Sequence, residues 1–287
     1  MSLTREHIRR AYIDACYQEI EALKPGNVHV FADGHRMNAQ QFFDSAQVSS
    51  GPLSDPVNSV GQRILAAVAA TRLKVQTNTN LGILLLCAPL ARAAASETSD
   101  LQLSLAATLA QLDMNDARDV FAAITLAQPG GLGSAPEHDV ANEPDVPLLE
   151  AMRAASERDM IARQYATNFS DIFTGGLSAH GAAIERNEPA MWPSVLVYLY
   201  FLSNFPDSHI IRKHGTPIAE ETRQAAEKIL ARMTEMHDGR EREKLLLAFD
   251  AQLKARDINP GTSADLTVAT LFASRLIWLL HNGEVNA

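Results

Sequence analysis

The sequence predicts an all-α fold, a single compact multi-helix domain over residues 1–287 built around one buried apolar helix. Three observations carry this. Apolar residues recur at spacings of three and four along the whole chain. No segment of useful length alternates apolar and polar residues as a half-buried strand does. Gly- and Pro-marked turns such as Gln128-Pro129-Gly130-Gly131 and Ile258-Asn259-Pro260-Gly261 separate the periodic segments. With 287 residues, 46% hydrophobic and 21% charged, the chain can bury a substantial core.

The first helix is expected from about Thr4 to Leu23, capped by Thr4, its stripe formed by Ile8, Tyr12, Ala15, Cys16, Ile20 and Leu23. Lys24-Pro25-Gly26 stops it. Asn38 with Gln41 forms a capping box for a helix carrying Phe42, Phe43 and Ala46. Val57, Val60, Ile64, Val68, Arg72 and Val75 trace the next stripe. From Leu81 to Leu90 every residue is apolar, Gly or Pro, so this helix is buried all round and too short for the ~20 residues a bilayer requires. Further helices are expected near 100–111, 116–127, 147–166, 188–203, 217–235, 239–255 and 263–281. The acidic stretch Ala135–Pro147 reads as a long loop within the same domain.

A formal net charge of −9 argues against nucleic-acid or anionic-membrane partners, which call for basic surface. Cys16 and Cys87 lie on apolar faces with no metal spacing, as expected of core residues in a reducing compartment. MSLTREHIRR lacks an apolar signal core, so cytoplasmic residence is expected. Gly131-Leu132-Gly133 begins like a dinucleotide loop, but Pro136 replaces the third Gly. Gly176-Leu177-Ser178-Ala179-His180 misses the nucleophile elbow at its last position.

Polar residues gather at a few places against this apolar background. Lys24-Pro25-Gly26-Asn27-Val28 with Asp33-Gly34-His35-Arg36-Met37 reads either as a helix stop and turn or as a loop against a ligand, with Lys24 supplying charge. Thr77-Asn78-Thr79-Asn80-Leu81-Gly82 holds more Asn and Thr than one N-cap needs, and the helix N-terminus behind it suits phosphate. Asp113 and Asp119 fit dipole-complementing carboxylates, while Asp116 stays open to metal binding. Arg158-Asp159, with Gln164 and Tyr165, is placed inside one helix, where Asp159 is a site carboxylate or a surface ion-pair partner. Asp207-Ser208-His209-Ile210-Ile211-Arg212-Lys213-His214-Gly215 is the densest group of titratable residues. There Asp207 is expected to be ionised by its cationic neighbours, and His209 or His214 to carry protons with a pKa near about 6.5. In Asn259-Pro260-Gly261-Thr262-Ser263-Ala264-Asp265-Leu266, Ser263 is expected to cap the last helix, with Asp265 in its first turn.

Taken in order, these stretches resemble the triphosphoribosyl-dephospho-CoA synthase family. The pieces are KPGNV (24–28), DGHRM (33–37), NTNLG (78–82), PLA (89–91), DA (116–117), PGGLG (129–133), DV (139–140), RDMIARQY (158–165), DSHIIRK (207–213) and NPGTSADL (259–266). The resemblance implies an all-helical enzyme that joins ATP to 3′-dephospho-CoA and releases adenine, making a prosthetic-group precursor for decarboxylating systems. It assigns catalysis to Asp207, His209, Asp159 and Asp265. Nucleotide binding falls to Lys24, Asn27, His35, Asn78, Thr79, Asn80, Gly82, Arg158, Arg212 and Lys213. Mg²⁺ is expected on Asp116, Asp159 and Asp207, with ATP as substrate and a homodimer as the assembly to test. Relatives nearest the decarboxylase systems usually carry His and Lys where this chain has Asn80 and Leu81. A related ribosyl or phosphoribosyl transfer in one-carbon (methanopterin-type) cofactor synthesis is therefore the alternative, and a non-catalytic nucleotide-binding protein is the other.

Overall fold

The computed structural model describes residues 2–130, 133 and 137–283. Gly131 and Leu132 of the PGGLG stretch, and Ala135 and Pro136 at the start of the acidic loop, lie outside the described residues. The protein is 70% helical, with 14 α-helices and no strand among the described residues.

Local chemistry sets most helix starts. Helix α1 (Arg5–Ile20) begins at a capping box of Thr4 and His7, and α2 (Ala39–Leu53) at the expected box of Asn38 and Gln41. Helix α3 (Val60–Val75) starts at Ser59, whose box with Gln62 closes it. Val57, counted in its stripe from the sequence, instead lies before the cap and is 85% exposed. Helix α4 (Leu81–Ala94) is the buried apolar helix, every residue but Arg92 being withdrawn from solvent. Its interior Pro89 has no N–H for the Leu85 carbonyl, and the Tyr165 hydroxyl donates to that carbonyl instead at 2.6 Å. Helices α5 (Leu101–Ala110) and α6 (Met114–Ala127) follow, α6 capped by Asp113.

The helix expected over 147–166 is two, α7 (Leu148–Ala155) and α8 (Met160–Ala166). Asp159 has extended backbone, and its carboxylate accepts from the Ile161 and Ala162 amides, so it starts a new helix. A π-helical turn at Asp171–Gly176 and α9 (Leu177–Glu185) were not anticipated. Their Gly-rich sequence hides the period, and Gly175 is needed because a Cβ there would lie 1.9 Å from the Tyr200 hydroxyl.

Helix α10 (Trp192–Asn204) leads to α11 (Ser208–His214), a short helix between those expected near 188–203 and 217–235. Then come α12 (Thr216–Thr234), α13 (Gly239–Ala255) and α14 (Gly261–Asn282). By length and composition α14 would span a bilayer, but 72% of its apolar window is buried inside the fold, as in a core helix. Cys16 and Cys87 are buried free thiols.

Two apolar clusters fill the interior. The larger joins α1–α8 to one side of α10 and most of α14, and the smaller joins α10–α13 to the turn that follows α1. Ala264 belongs to the smaller cluster and Leu266 to the larger, so Asp265 stands at their seam.

Candidate functional site

A cavity of about 460 Å³ opens at this seam, within the ~300–1,000 Å³ of small-ligand sites. Ile83, Leu85, Val120, Phe121, Ile124, Met152 and Ile161 form its apolar wall. Its polar lining includes Glu19, Asn27, Asn78, Thr79, Asn80, Arg158, Asp159, His209, Arg212, Asn259 and Asp265. Pro129, Gly130, Gly133, His138 and Asp139 border it from the loop after α6. Among residues assigned to the site from the sequence, Asn27, Asn78, Thr79, Asn80, Gly82, Arg158, Asp159, His209, Arg212 and Asp265 meet here.

The Asn-Thr stretch divides its work. Asn78 caps α4 by accepting from the Leu81 amide at 3.1 Å. Thr79 and Asn80 reach α2 instead, through Ser45 at 2.6 Å and Ser49 at 3.3 Å. Asn80 occupies the N-cap position without a side-chain cap, which leaves first-turn amides of α4 directed at the cavity.

Asp265 lies against that first turn. A Cβ on Gly82 would fall 2.0 Å from its Oδ2, so glycine at position 82 makes room for the carboxylate. No described side chain or amide hydrogen-bonds it. Burial pushes its carboxyl well above the usual carboxylate range, helped by the charges of Glu19, Asp207 and Asp159 and opposed by Arg212.

Arg212 is held by Asp159 at 2.6 Å and lines the cavity, while its Nε is buried with no partner among the described groups. His209 packs on Gly261, where a Cβ would lie 2.7 Å from Nδ1. Burial, then Arg212, Lys213, His35 and His214, hold its pKa down at about 3. The expected proton carrier near neutrality is thereby corrected for His209, which is a neutral imidazole under ordinary conditions.

Several expected site residues do structural work outside the cavity. Asp207 does not line it. Its Oδ1 accepts from the His209 amide at 2.8 Å and the Ile210 amide at 3.2 Å, and its Oδ2 from the Ser263 amide at 2.7 Å and hydroxyl at 2.8 Å. It caps α11 and ties down the start of α14 together, so Ser263 is a donor to Asp207 and not the cap expected for α14. Burial raises the Asp207 pKa against the bonds from Ser263 and Ile210 and against Arg212, which corrects the expectation that neighbouring cations dominate its ionisation.

Asp116 is likewise saturated, accepting from the Ser59 hydroxyl and Gly61 amide, both at 2.7 Å, and from the Asp113 amide at 3.2 Å. The metal set Asp116, Asp159 and Asp207 therefore does not assemble. Among the described residues no group of three or more His, Cys, Asp and Glu could hold an ion.

Lys24 is fully buried and pairs with Glu19 and, at 2.8 Å, with Asn27. It lies beneath the cavity, not in it, correcting its assignment as a ligand's cation. His35 bridges the Gly26 carbonyl at 2.7 Å and Asp257 at 3.0 Å, and Lys213 reaches Asp257 at 3.4 Å; neither lines the cavity. Gly26 has φ +84°, and a Cβ there would meet Pro260 and Leu253 at 2.8 and 2.9 Å. Its amide donates to Asp250 at 2.8 Å. The KPGN turn is thus locked to α13 and the turn that follows it, and this presents Asn27 to Asn259 at 2.7 Å.

Glu19 was missed from the sequence. The signal was a carboxylate within the apolar stripe of α1, four residues after Ala15 and three after Cys16, followed by Lys24. Asn259 and His138 were also not singled out as site residues.

A family model for ATP:dephospho-CoA triphosphoribosyl transferase matches residues 5–283. A solved structure from Archaeoglobus fulgidus, assigned as a triphosphoribosyl-dephospho-CoA synthase, is similar with a TM-score of 0.61 and 26% identity. The similarity covers 80% of this chain and 96% of that one. No curated protein sequence matches.

Proposed function

The chain belongs to the ATP:dephospho-CoA triphosphoribosyl transferase family, and on that premise we propose that it joins the ribose of ATP to a hydroxyl of 3′-dephospho-CoA. The acceptor oxygen bonds to ribose C1′ as the C1′–N9 bond breaks. The hydroxyl proton is given up and adenine leaves carrying one, so the products are triphosphoribosyl-dephospho-CoA and neutral adenine.

The convergence of the NTNLG, RD, HIIR and NPGTSADL residues on one cavity at the N-terminus of α4 carries this reading. Arg158, Arg212 and the first-turn amides of α4 receive the phosphates. Asp159 positions Arg212. The apolar wall of Phe121, Ile124 and Met152 accepts the purine. Asn27, Asn80 and Asn259 offer amide groups to ribose hydroxyls.

Mg²⁺ would enter with the triphosphate as its counter-ion, the usual partner of ATP phosphates. The ATP pool on which the reaction draws places it in the cytoplasm. The one-carbon and non-catalytic alternatives gain no observation of their own from the site.

Incubation with ATP, Mg²⁺ and dephospho-CoA should release free adenine, read by chromatography, in proportion to the coupled product. ADP or AMP in place of adenine refutes the reading.

A further inference from the structure

The floor of the cavity carries two carboxylates, Glu19 from the end of α1 and Asp265 from the start of α14, around one buried ammonium. Lys24 is fully withdrawn from solvent and donates to the Glu19 carboxylate. Its second partner is the Asn27 amide oxygen at 2.8 Å. Asp265, which also acts on Lys24 electrostatically, has no hydrogen-bond donor among the described residues. Glu19 and Asp265 both line the cavity.

Two carboxylates against one ammonium leave one negative charge uncompensated in a site walled by apolar helices. Such a pair retains a proton, and the carboxyl without a cation keeps it. The surrounding charges favour the same arrangement. Asp207 and Asp159, on the α11 and α8 sides, raise Asp265, and Arg212 only partly opposes them. Burial raises the Glu19 pKa on balance and Lys24 pulls it back in part, whereas Asp265 has no such bonded cation and is raised well above the usual carboxylate range. Lys254 faces Lys24 from α13, and His209, held neutral, adds no charge.

Resting on the transferase reading, we propose that Glu19 and Asp265 are its acid–base pair. Glu19, ionised on Lys24, takes the proton of the attacking hydroxyl as that oxygen bonds to C1′. Asp265, protonated at rest, gives its proton to a ring nitrogen of the departing adenine as the C1′–N9 electron pair moves onto the purine. One proton is taken up and one delivered. Transfer from Glu19 back to Asp265 across the shared floor then resets the site. Lys24 touches no substrate and is a positioning residue that sets which carboxyl is ionised.

The test uses the full-length protein and the variants Glu19→Gln, Asp265→Asn and Lys24→Met, with circular dichroism confirming the fold. Adenine release should fall about a hundredfold or more in Glu19→Gln and in Asp265→Asn, as for positioned acid–base groups, with ATP affinity by calorimetry within a few-fold. Glu19→Gln should abolish the acid limb of the pH–rate profile, and Asp265→Asn the alkaline limb. Lys24→Met should move the acid limb to higher pH, a change that a packing defect alone does not produce.

Infrared difference spectroscopy at neutral pH gives a readout independent of turnover. The carbonyl stretch of a protonated carboxylic acid should disappear in Asp265→Asn and persist in Glu19→Gln. Should Glu19→Gln unfold, the double variant with Lys24→Met removes the unpaired cation, and the infrared comparison is made on that background. A band that survives in Asp265→Asn, or near wild-type turnover in either carboxylate variant, overturns the proposal. Absence of adenine from the wild-type reaction, with the infrared assignment intact, overturns only the transferase reading.

Discussion

Replacing Asp207 by Asn keeps the shape of the side chain and exchanges one acceptor oxygen for an NH₂ group. In the native protein that carboxylate accepts four hydrogen bonds, two from α11 amides and two from Ser263. With Oδ1 retained toward His209 and Ile210, the new NH₂ faces the Ser263 amide, formerly 2.7 Å from Oδ2. The Ser263 hydroxyl can rotate to accept, but its N–H cannot. One buried donor is then unsatisfied, which costs about 1–3 kcal/mol. Removing a buried charge offsets part of this. A net loss of about 2 kcal/mol lowers Tm by roughly 5 °C, at the lower end of the sensitivity per kcal/mol seen for large domains. Asp207→Ala leaves donors on both helices unpaired and should cost more, about 3 kcal/mol or above from the cap and desolvation terms together. Because Asp207 lies outside the cavity, adenine release by the folded Asn variant should stay within about threefold of wild type, against the hundredfold expected on removing an acid–base group. Differential scanning calorimetry and the adenine assay decide it. An unchanged Tm with a hundredfold loss of turnover would refute the capping argument and return Asp207 to the chemistry.

Three further outcomes follow from the site. With its pKa held at about 3, His209 should show no imidazole titration by NMR between pH 5 and 8, and a midpoint near about 6.5 would refute the burial argument. The unfolded chain binds a proton that folded His209 refuses, so this residue's contribution to stability is present above about pH 6.5 and declines as pH falls toward 3. Gly82→Ala should displace Asp265, whose Oδ2 would be 2.0 Å from the added carbon, and cut adenine release at least about tenfold despite the ~1 kcal/mol helix-propensity gain of Ala over Gly; a stabilised, fully active variant would show that the contact relaxes freely. Arg212→Gln, which removes the cation but keeps a donor, should weaken ATP binding about tenfold or more, as charge-assisted phosphate contacts do, and calorimetry showing equal affinity would remove Arg212 from the phosphate site.

What could be read from the sequence was local. The Asn38–Gln41 box is written within four residues, and the all-round apolarity of Leu81–Leu90 announces burial directly. The resemblance of the ordered motifs was likewise visible, and the family match bears it out. Roles decided by distant partners were not visible. Asp207 looked like the strongest catalytic candidate because its cationic neighbours are adjacent in sequence, whereas Ser263, which claims one of its oxygens, is 56 residues away. Lys24 looked like a ligand's cation because its counter-charge, Glu19, was hidden in a helical stripe. The break at Asp159 was missed because Met152, Ala155 and Ile161 were counted on one apolar face, although Ile161, nine residues after Met152, would lie about half a turn away on a continuous helix. The side-chain cap of the second helix reveals the interruption.

The floor of the cavity unites residues far apart along the polypeptide. Lys24 and Glu19 leave the ribosome well before Asn259 and Asp265, which come with the start of α14. The Asn27–Asn259 contact spans 232 residues. Closing a flexible loop of that length costs about 5 kcal/mol in chain entropy, beyond a length-independent constant, and this must be recovered by docking α14 into the core. A nascent chain therefore has no finished site in which to capture nucleotide until α14 has emerged. Conversely, any molecule that bridges α1 and α14 in the mature protein favours the seated final helix in proportion to its occupancy. Substrate binding and the docking of α14 are thus thermodynamically linked.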